Sequence, residues 1–187
     1  GNTISFYNCG IKNVNSVEID NLTCDYLKNN LEVYGYDTNN VICDDYLNVI
    51  NNLEQDCVFF DPPWGGKNYN NVKVLDLYLG ETNVTDIIFD LFTENKTRLV
   101  VLKAPLNYNH RSIELITKKI LISDKNICGV EKDIIKRNGN PSYFIYYIYS
   151  KLPEEKEIYE DEMYDPEHPE YDYRKSQEIY SPTKPWM

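Results

Sequence analysis

The residues Asp61-Pro62-Pro63-Trp64-Gly65-Gly66 follow directly on the apolar run Cys57-Val58-Phe59-Phe60. Consecutive prolines fix φ near −65° and cannot donate to a strand ladder, so a strand reaching them must stop and hold its last side chains in a stiff loop. An acceptor, Asp61, is thereby presented beside a flat aromatic, Trp64. That pair suits a planar ring bearing an amino group. The indole stacks on the ring, worth roughly 1–3 kcal/mol, while the carboxylate or a loop carbonyl accepts from the exocyclic NH2. Gly65 and Gly66 let the backbone come close to such a ligand.

Three further segments put polar groups at the ends of apolar runs: Glu18-Ile19-Asp20, Asp44-Asp45 and Lys103-Ala104-Pro105. The elements that must position them alternate. Strand-like runs at 14–20, 40–43, 57–60 and 98–104 are followed by helical spacing at 21–35 (closed by Gly35), 44–53, 83–95 after a long loop, and 110–119. Residues 120–130 and 142–150 read as the last two strands. The alternation predicts an α/β domain over residues 1–150 with a largely parallel sheet between helices. In such sheets crossovers are right-handed and ligands bind outside the carboxyl ends of the strands, which is where these acids fall. Residues 2–9 look helical with no strand ahead of them, so the first strand of the sheet is expected upstream of Gly1.

Composition sets the limits on this picture. At 187 residues and 42% hydrophobic content the chain carries apolar mass for one core, and no run approaches the roughly 18 apolar residues of a membrane span. Lys plus Arg is 19 against 30 for Asp plus Glu, a net charge of −11. Residues 151–187 hold 5 basic and 11 acidic side chains and five of the nine prolines, and read as an acidic, Tyr- and Pro-rich C-terminal tail. Its tyrosines and Trp186 offer a possible contact for a protein partner. Five cysteines with no CxxC pair suggest reduced thiols in an intracellular, reducing compartment, most of them small core residues. His110 and His168 are far apart, so no metal site is expected.

The Asp61 loop resembles motif IV of S-adenosylmethionine-dependent amino-methyltransferases, in which Asp, Asn or Ser precedes Pro-Pro and an aromatic. Its Trp64-Gly65-Gly66 continuation, with Tyr69 shortly after, resembles the trimethylguanosine synthase family, which methylates the 2-amino group of 7-methylguanosine caps. Gly1-Asn2-Thr3-Ile4 resembles the close of that family's glycine-rich loop, and Asn29-Asn30-Leu31-Glu32-Val33-Tyr34-Gly35 is similar to one of its helix ends. The resemblance runs closely through residues 1–70 and beyond them only in topology.

It implies a Rossmann-like class I methyltransferase sheet with helices on both faces, S-adenosylmethionine as cofactor, and capped RNA as partner, in the cytoplasm or nucleus. Residue by residue it implies that Glu18 accepts from the cofactor's ribose hydroxyls, with Ile19 and Asp20 beside it. Asp45 meets the adenine amino group, with Tyr46 beside the ring, and Gly1 and Asn2 border the methionine portion. Asp61, Pro62, Pro63 and Trp64 surround the reacting amine, Asp61 also facing the cofactor. Trp64 stacks the methylated guanine, with Gly65 and Tyr69 alongside. Lys67 and Lys103, the cations nearest in sequence to the strand-end loops, are the candidates for the cap phosphates. The synthases carry Ser where this chain has Asp61, and Asp is commoner among adenine-amino methyltransferases. A base in ribosomal RNA, transfer RNA or DNA is therefore an alternative substrate, and a catalytically silent methyltransferase fold used for binding is a second alternative.

Overall fold

The computed structural model describes residues 1–123 and 128–150. The elements are α1 (Asn2–Asn8), β1 (Ser16–Val17), α2 (Asn21–Val33), β2 (Val41–Ile42), α3 (Tyr46–Val49), β3 (Cys57–Phe60), β4 (Tyr78–Leu79), β5 (Thr82–Asn83), α4 (Val84–Thr93), β6 (Leu99–Pro105), α5 (His110–Ser123), β7 (Cys128–Arg137) and β8 (Asn140–Ser150). Short 3-10 turns cover Ile50–Asn52 and Gly66–Asn71. Three of the helices open on side-chain caps that answer an otherwise unpaired N–H. Asp20 accepts from Thr23 N–H at 2.7 Å, Asp45 from Leu47 N–H at 2.9 Å and Asn83 from Thr85 N–H at 2.9 Å. Each such cap contributes about 1 kcal/mol.

β1 and β2 pair in parallel, Val17 opposite Ile42. A second sheet has the order β3-β6-β8-β7. In it β3 and β6 are parallel, with Phe60 opposite Leu102, whereas β8 runs antiparallel to both neighbours. The sheet is thus mixed, not largely parallel. The reason is local: Asn138 (φ 50°) and Gly139 (φ 79°) form a two-residue turn with both residues left-handed, the geometry that folds β7 back on β8 as a hairpin. A second correction concerns residues 120–130. Ile120 to Ser123 complete α5, and the strand begins at Cys128. Ile120 is buried on the helical face that also buries Ile113 and Ile116, so tertiary packing overrides the β-prone look of Ile120-Leu121-Ile122.

Burial alternates along the strands. Val58 and Phe60, Val100 and Leu102, and Tyr146 and Ile148 face α4 and α5 and form the main core with Ile88 and Leu91. The opposite face receives α1, whose Phe6 meets Phe59 edge-on at 5.2 Å between ring centroids. Helices therefore lie on both faces. A smaller cluster of Ile4, Cys24, Leu31 and Val41 joins α1, α2 and β2.

The cysteines correct the expectation of free core thiols. Cys24 in α2 is fully buried but disulfide-bonded to Cys43 at the end of β2, their Cα atoms 5.9 Å apart, while Cys9 and Cys57 are free and exposed. Returning the chain from α2 into β2 brings two residues 19 apart within bonding reach. Among the described residues no helix is long and apolar enough to cross a membrane, and no three His, Cys, Asp or Glu side chains gather as metal ligands would. The tail at 151–187 lies outside the described residues.

Candidate functional site

The carboxyl end of β3 delivers Asp61 to the side of β6 where Lys103 stands, one step beyond the Phe60–Leu102 pair. Asp61 Oδ2 accepts from Lys103 Nζ at 2.7 Å and from Asn2 Nδ2, at the head of α1, at 3.1 Å. Residues 59 positions apart thus meet on one oxygen. The Lys103 ammonium also lies 5.7 Å from the Trp64 ring centroid and 5.2 Å from that of Tyr143 on β8, close enough for a cation–π attraction to either.

Trp64 is half-buried. Tyr69 meets it edge-on at 5.3 Å and Tyr143 lies tilted at 6.4 Å. Its Nε1 is buried without a hydrogen-bond partner. Gly65 and Gly66 sit at φ 87° and 77°, and a Cβ on either would meet nothing within 4 Å. Their task in the chain is accordingly the left-handed backbone that turns Trp64 back toward Tyr69, a conformation costing a side-chain-bearing residue roughly 1–2 kcal/mol. Asp61, Pro62, Pro63, Trp64, Gly66, Tyr69 and Lys103 line one open cavity of about 380 Å³. That volume is at the small end of ligand sites.

A second group of predicted residues gathers at the ends of β1 and β2. Glu18 follows β1, donates its N–H to Ile42 O at 3.0 Å, and accepts from Asp20 N–H through Oε1 at 2.9 Å. Asp20, bonded by Thr23, is held below the usual carboxyl range. Asp44 accepts from Asp45 N–H at 2.7 Å and from Asn48 at 2.9 Å. Asp45 caps α3 through Oδ1. Tyr46 is packed beneath: its ring meets Phe60 edge-on at 5.5 Å, its hydroxyl donates to Gln55 at 3.1 Å, and burial pushes its pKa up to about 12. Ile19 is 67% exposed, and Gly1 is exposed just ahead of α1. Lys67 projects from the exposed turn Gly66–Asn71 and does not line the cavity; nor does Gly65.

Two residues near this cavity escaped the sequence reading. Tyr143 lies beside Trp64 and Lys103 because β8 pairs with β6 in a register that puts it opposite Pro105. Only the hairpin signal at Asn138-Gly139 could have revealed that. Asn107, in the loop after β6, hydrogen-bonds the turn that carries Tyr69. An Asn in a post-strand loop carries no distinctive signal.

A mixed sheet with helices on both faces is consistent with a methyltransferase fold, and on it acids stand at the ends of successive strands with an Asp-Pro-Pro-Trp loop lining an open cavity. Residues 1–151 match the RNA cap guanine-N2 methyltransferase family, and the chain belongs to it. It is 35% identical over 112 residues to an uncharacterized protein of Acanthamoeba polyphaga mimivirus, covering 58% of this chain and 43% of that one. It is 34% identical over 107 residues to the trimethylguanosine synthase of Schizosaccharomyces pombe, covering 53% and 42% respectively. The chain therefore spans less than half the length of these relatives.

Proposed function

We propose that the chain binds S-adenosylmethionine and methylates the exocyclic 2-amino group of 7-methylguanosine in RNA caps. The observation that carries this reading is the cavity in which Asp61, Trp64 and Tyr69 converge: an acceptor, a stacking plate and room for one base. When bound, S-adenosylmethionine supplies an electrophilic methyl group. The acceptors at the ends of β1 and β2 suit it: Glu18 to accept from a vicinal diol, Asp45 from an adenine amine, with Ile19, Asp20 and Tyr46 around them and Gly1 and Asn2 toward the methionine portion.

The 2-amino lone pair of guanine is delocalised into the ring and is a poor nucleophile. Rate then comes chiefly from orienting that nitrogen, which can supply about 7–11 kcal/mol. Pro62 and Pro63 fix the loop, and Trp64 with Gly65 and Tyr69 fixes the base. Asp61, one oxygen of which is held by Lys103 and Asn2, offers the other to the amine and offsets positive charge developing there. A 7-methylguanine ring is cationic, so stacking on Trp64 gains about 0.5–2 kcal/mol over neutral guanine. Lys103, which lines the cavity, is the first candidate for the cap phosphates, and Lys67, outside it on the neighbouring turn, the second. Such an enzyme works where capped RNA is found, in the cytoplasm or nucleus, and the acidic tail offers a surface for a protein partner. Asp61, in place of the synthases' Ser, favours a second reading, an amine of a base in ribosomal RNA, transfer RNA or DNA.

Incubating the full chain with methyl-labelled S-adenosylmethionine and, separately, 7-methylguanosine-capped RNA, uncapped RNA and DNA tests this. Label in capped RNA alone is the expected result. Label confined to uncapped RNA or DNA selects the second reading, and label in none makes the domain a non-catalytic binding module.

A further inference from the structure

We infer that Asn107 is a positioning residue for the base-stacking wall: its side-chain amide latches the turn that carries Tyr69 and, through Tyr69, sets the attitude of Trp64. This rests on the reading of Trp64 as the stacking plate. Both hydrogens of one amide are committed to that turn, since Asn107 Nδ2 donates to Tyr69 O at 2.8 Å and to Val72 O at 2.7 Å. The main chain repeats the connection. Leu75 N–H donates to Asn107 O at 2.9 Å and Asn109 N–H donates to Leu75 O at 2.8 Å, a parallel bridge between Leu75 and Tyr108. The segment from Trp64 to Leu75 is therefore moored to the loop between β6 and α5 at its far end.

Its near end is less constrained. Two consecutive left-handed glycines, Gly65 and Gly66, open the turn, and glycine resists backbone rotation least. The Trp64 indole has no hydrogen bond at Nε1; it rests partly buried against the edge of the main core, and its nearest aromatic contact is Tyr69. The Oδ1 of Asn107 is buried with no partner, a loss that an apolar side chain would avoid. The residue keeps its amide at a cost in stability, and what the amide does is hold two carbonyls of the cavity's wall. The bond to the Val72 carbonyl is exposed and that to the Tyr69 carbonyl part-buried, so losing the latch frees one end of the turn to water and shifts its position.

The test uses the full chain with Trp186→Phe, which leaves Trp64 as the sole tryptophan. In that background Asn107→Leu removes both donors while keeping a side chain branched at Cγ, and Asn107→Gln keeps an amide. Expected for Asn107→Leu is greater acrylamide quenching and lower fluorescence anisotropy of Trp64, about tenfold weaker binding of 7-methylguanosine triphosphate, and unchanged affinity for S-adenosylhomocysteine, with Asn107→Gln recovering part of each loss. Should Asn107→Leu fail to fold, Asn107→Ala, which also lacks a donor, is read the same way. Unchanged Trp64 quenching and anisotropy in a folded donor-less variant overturns the latch, even where the wild type binds the cap analogue. If Trp64 loosens as expected but the wild type itself does not bind the cap analogue, the latch stands and the cap reading fails.

Discussion

Replacing Trp64 by Ala separates the two halves of the proposed site. The indole forms one wall of the cavity, and an aromatic plate under a nucleobase is worth about 1–3 kcal/mol. The positive charge of 7-methylguanine adds a cation–π contribution, but the Lys103 ammonium already stands 5.7 Å from the same ring, which holds that addition to about 0.5–1 kcal/mol, the lower half of its range. Together these predict that Trp64→Ala weakens 7-methylguanosine triphosphate binding by about 1.5–4 kcal/mol, between roughly 10-fold and 10³-fold. Trp64 also packs on Tyr69 and Tyr143, so the variant loses some thermal stability, and Trp64→Phe serves as the control that keeps a ring. Calorimetric titration with 7-methylguanosine triphosphate, GTP and S-adenosylhomocysteine reads the result. Cap affinity should collapse, GTP affinity should fall somewhat less, and S-adenosylhomocysteine should bind as before, because Glu18 and Asp45 stand on other strand ends. Equal losses for the cap and the cofactor product would refute the assignment of Trp64, and so would a cap affinity that survives intact.

The complementary variant, Glu18→Ala, removes a charged acceptor and should cost S-adenosylhomocysteine about 1.5–3 kcal/mol while sparing the cap analogue, by the same titrations. Asp61→Asn keeps the shape of the loop but leaves Lys103 without its counterion; methyl transfer to capped RNA should fall about 100-fold with little change in cap affinity, and an unaltered turnover number would remove Asp61 from the chemistry. Reductant should lower the melting temperature, since a bond closing a span of 19 residues contributes about 3 kcal/mol, or about 6–12 °C for a domain of this size; an identical melt with and without reductant means the thiols are free in solution. His110 should make the fold acid-sensitive. Burial and then Lys132 depress its pKa, against the opposing pull of Glu114, so its contribution is complete above the ordinary imidazole value and is lost as pH falls through the lowered one. His110→Gln should flatten the stability profile below about pH 6.5, and an unchanged slope would assign the acid sensitivity elsewhere.

The parts of this fold that were legible in the sequence are those fixed by local chemistry. The helix after β1 announces itself through the apolar spacing to Leu31 and the closing Gly35, and the end of β3 through Pro62-Pro63. Elements whose identity is settled by distant partners were not. Ile120 looks like a strand residue and is helical because α5 buries it beside Ile113 and Ile116. The strand beyond Val130 is amphipathic with charges interleaved, and only pairing with β8 makes Glu131 to Arg137 extended. In the site, Asp61 and Trp64 were visible because Pro and Gly punctuate the loop. Asn107 and Tyr143 reach it across 38 and 79 positions, as partners of Tyr69 and Trp64 respectively, distances over which composition and periodicity carry no information; Asn2, 59 positions from Asp61, was visible only through the family resemblance.

The acids at strand ends illustrate how structure sharpens such a signal. Sequence order makes Glu18, Asp20, Asp45 and Asp61 look equivalent, each an acid just past a strand. Their bonds divide them. Asp20 and Asp45 each commit an oxygen to the first turn of the following helix, an arrangement that any strand–helix connection rewards whether or not a ligand exists. Glu18 and Asp61 cap nothing. Glu18 gives one oxygen to the N–H two residues on, and Asp61 is held by a lysine and an asparagine from two other elements. An acid fixed by long-range donors at a cavity wall, with no part in starting a helix, has no local structural reason to be there. On that ground Asp61 carries the greater weight of the proposed chemistry, and a substitution at Asp20 or Asp45 should register first in the stability of α2 or α3 and only then in binding.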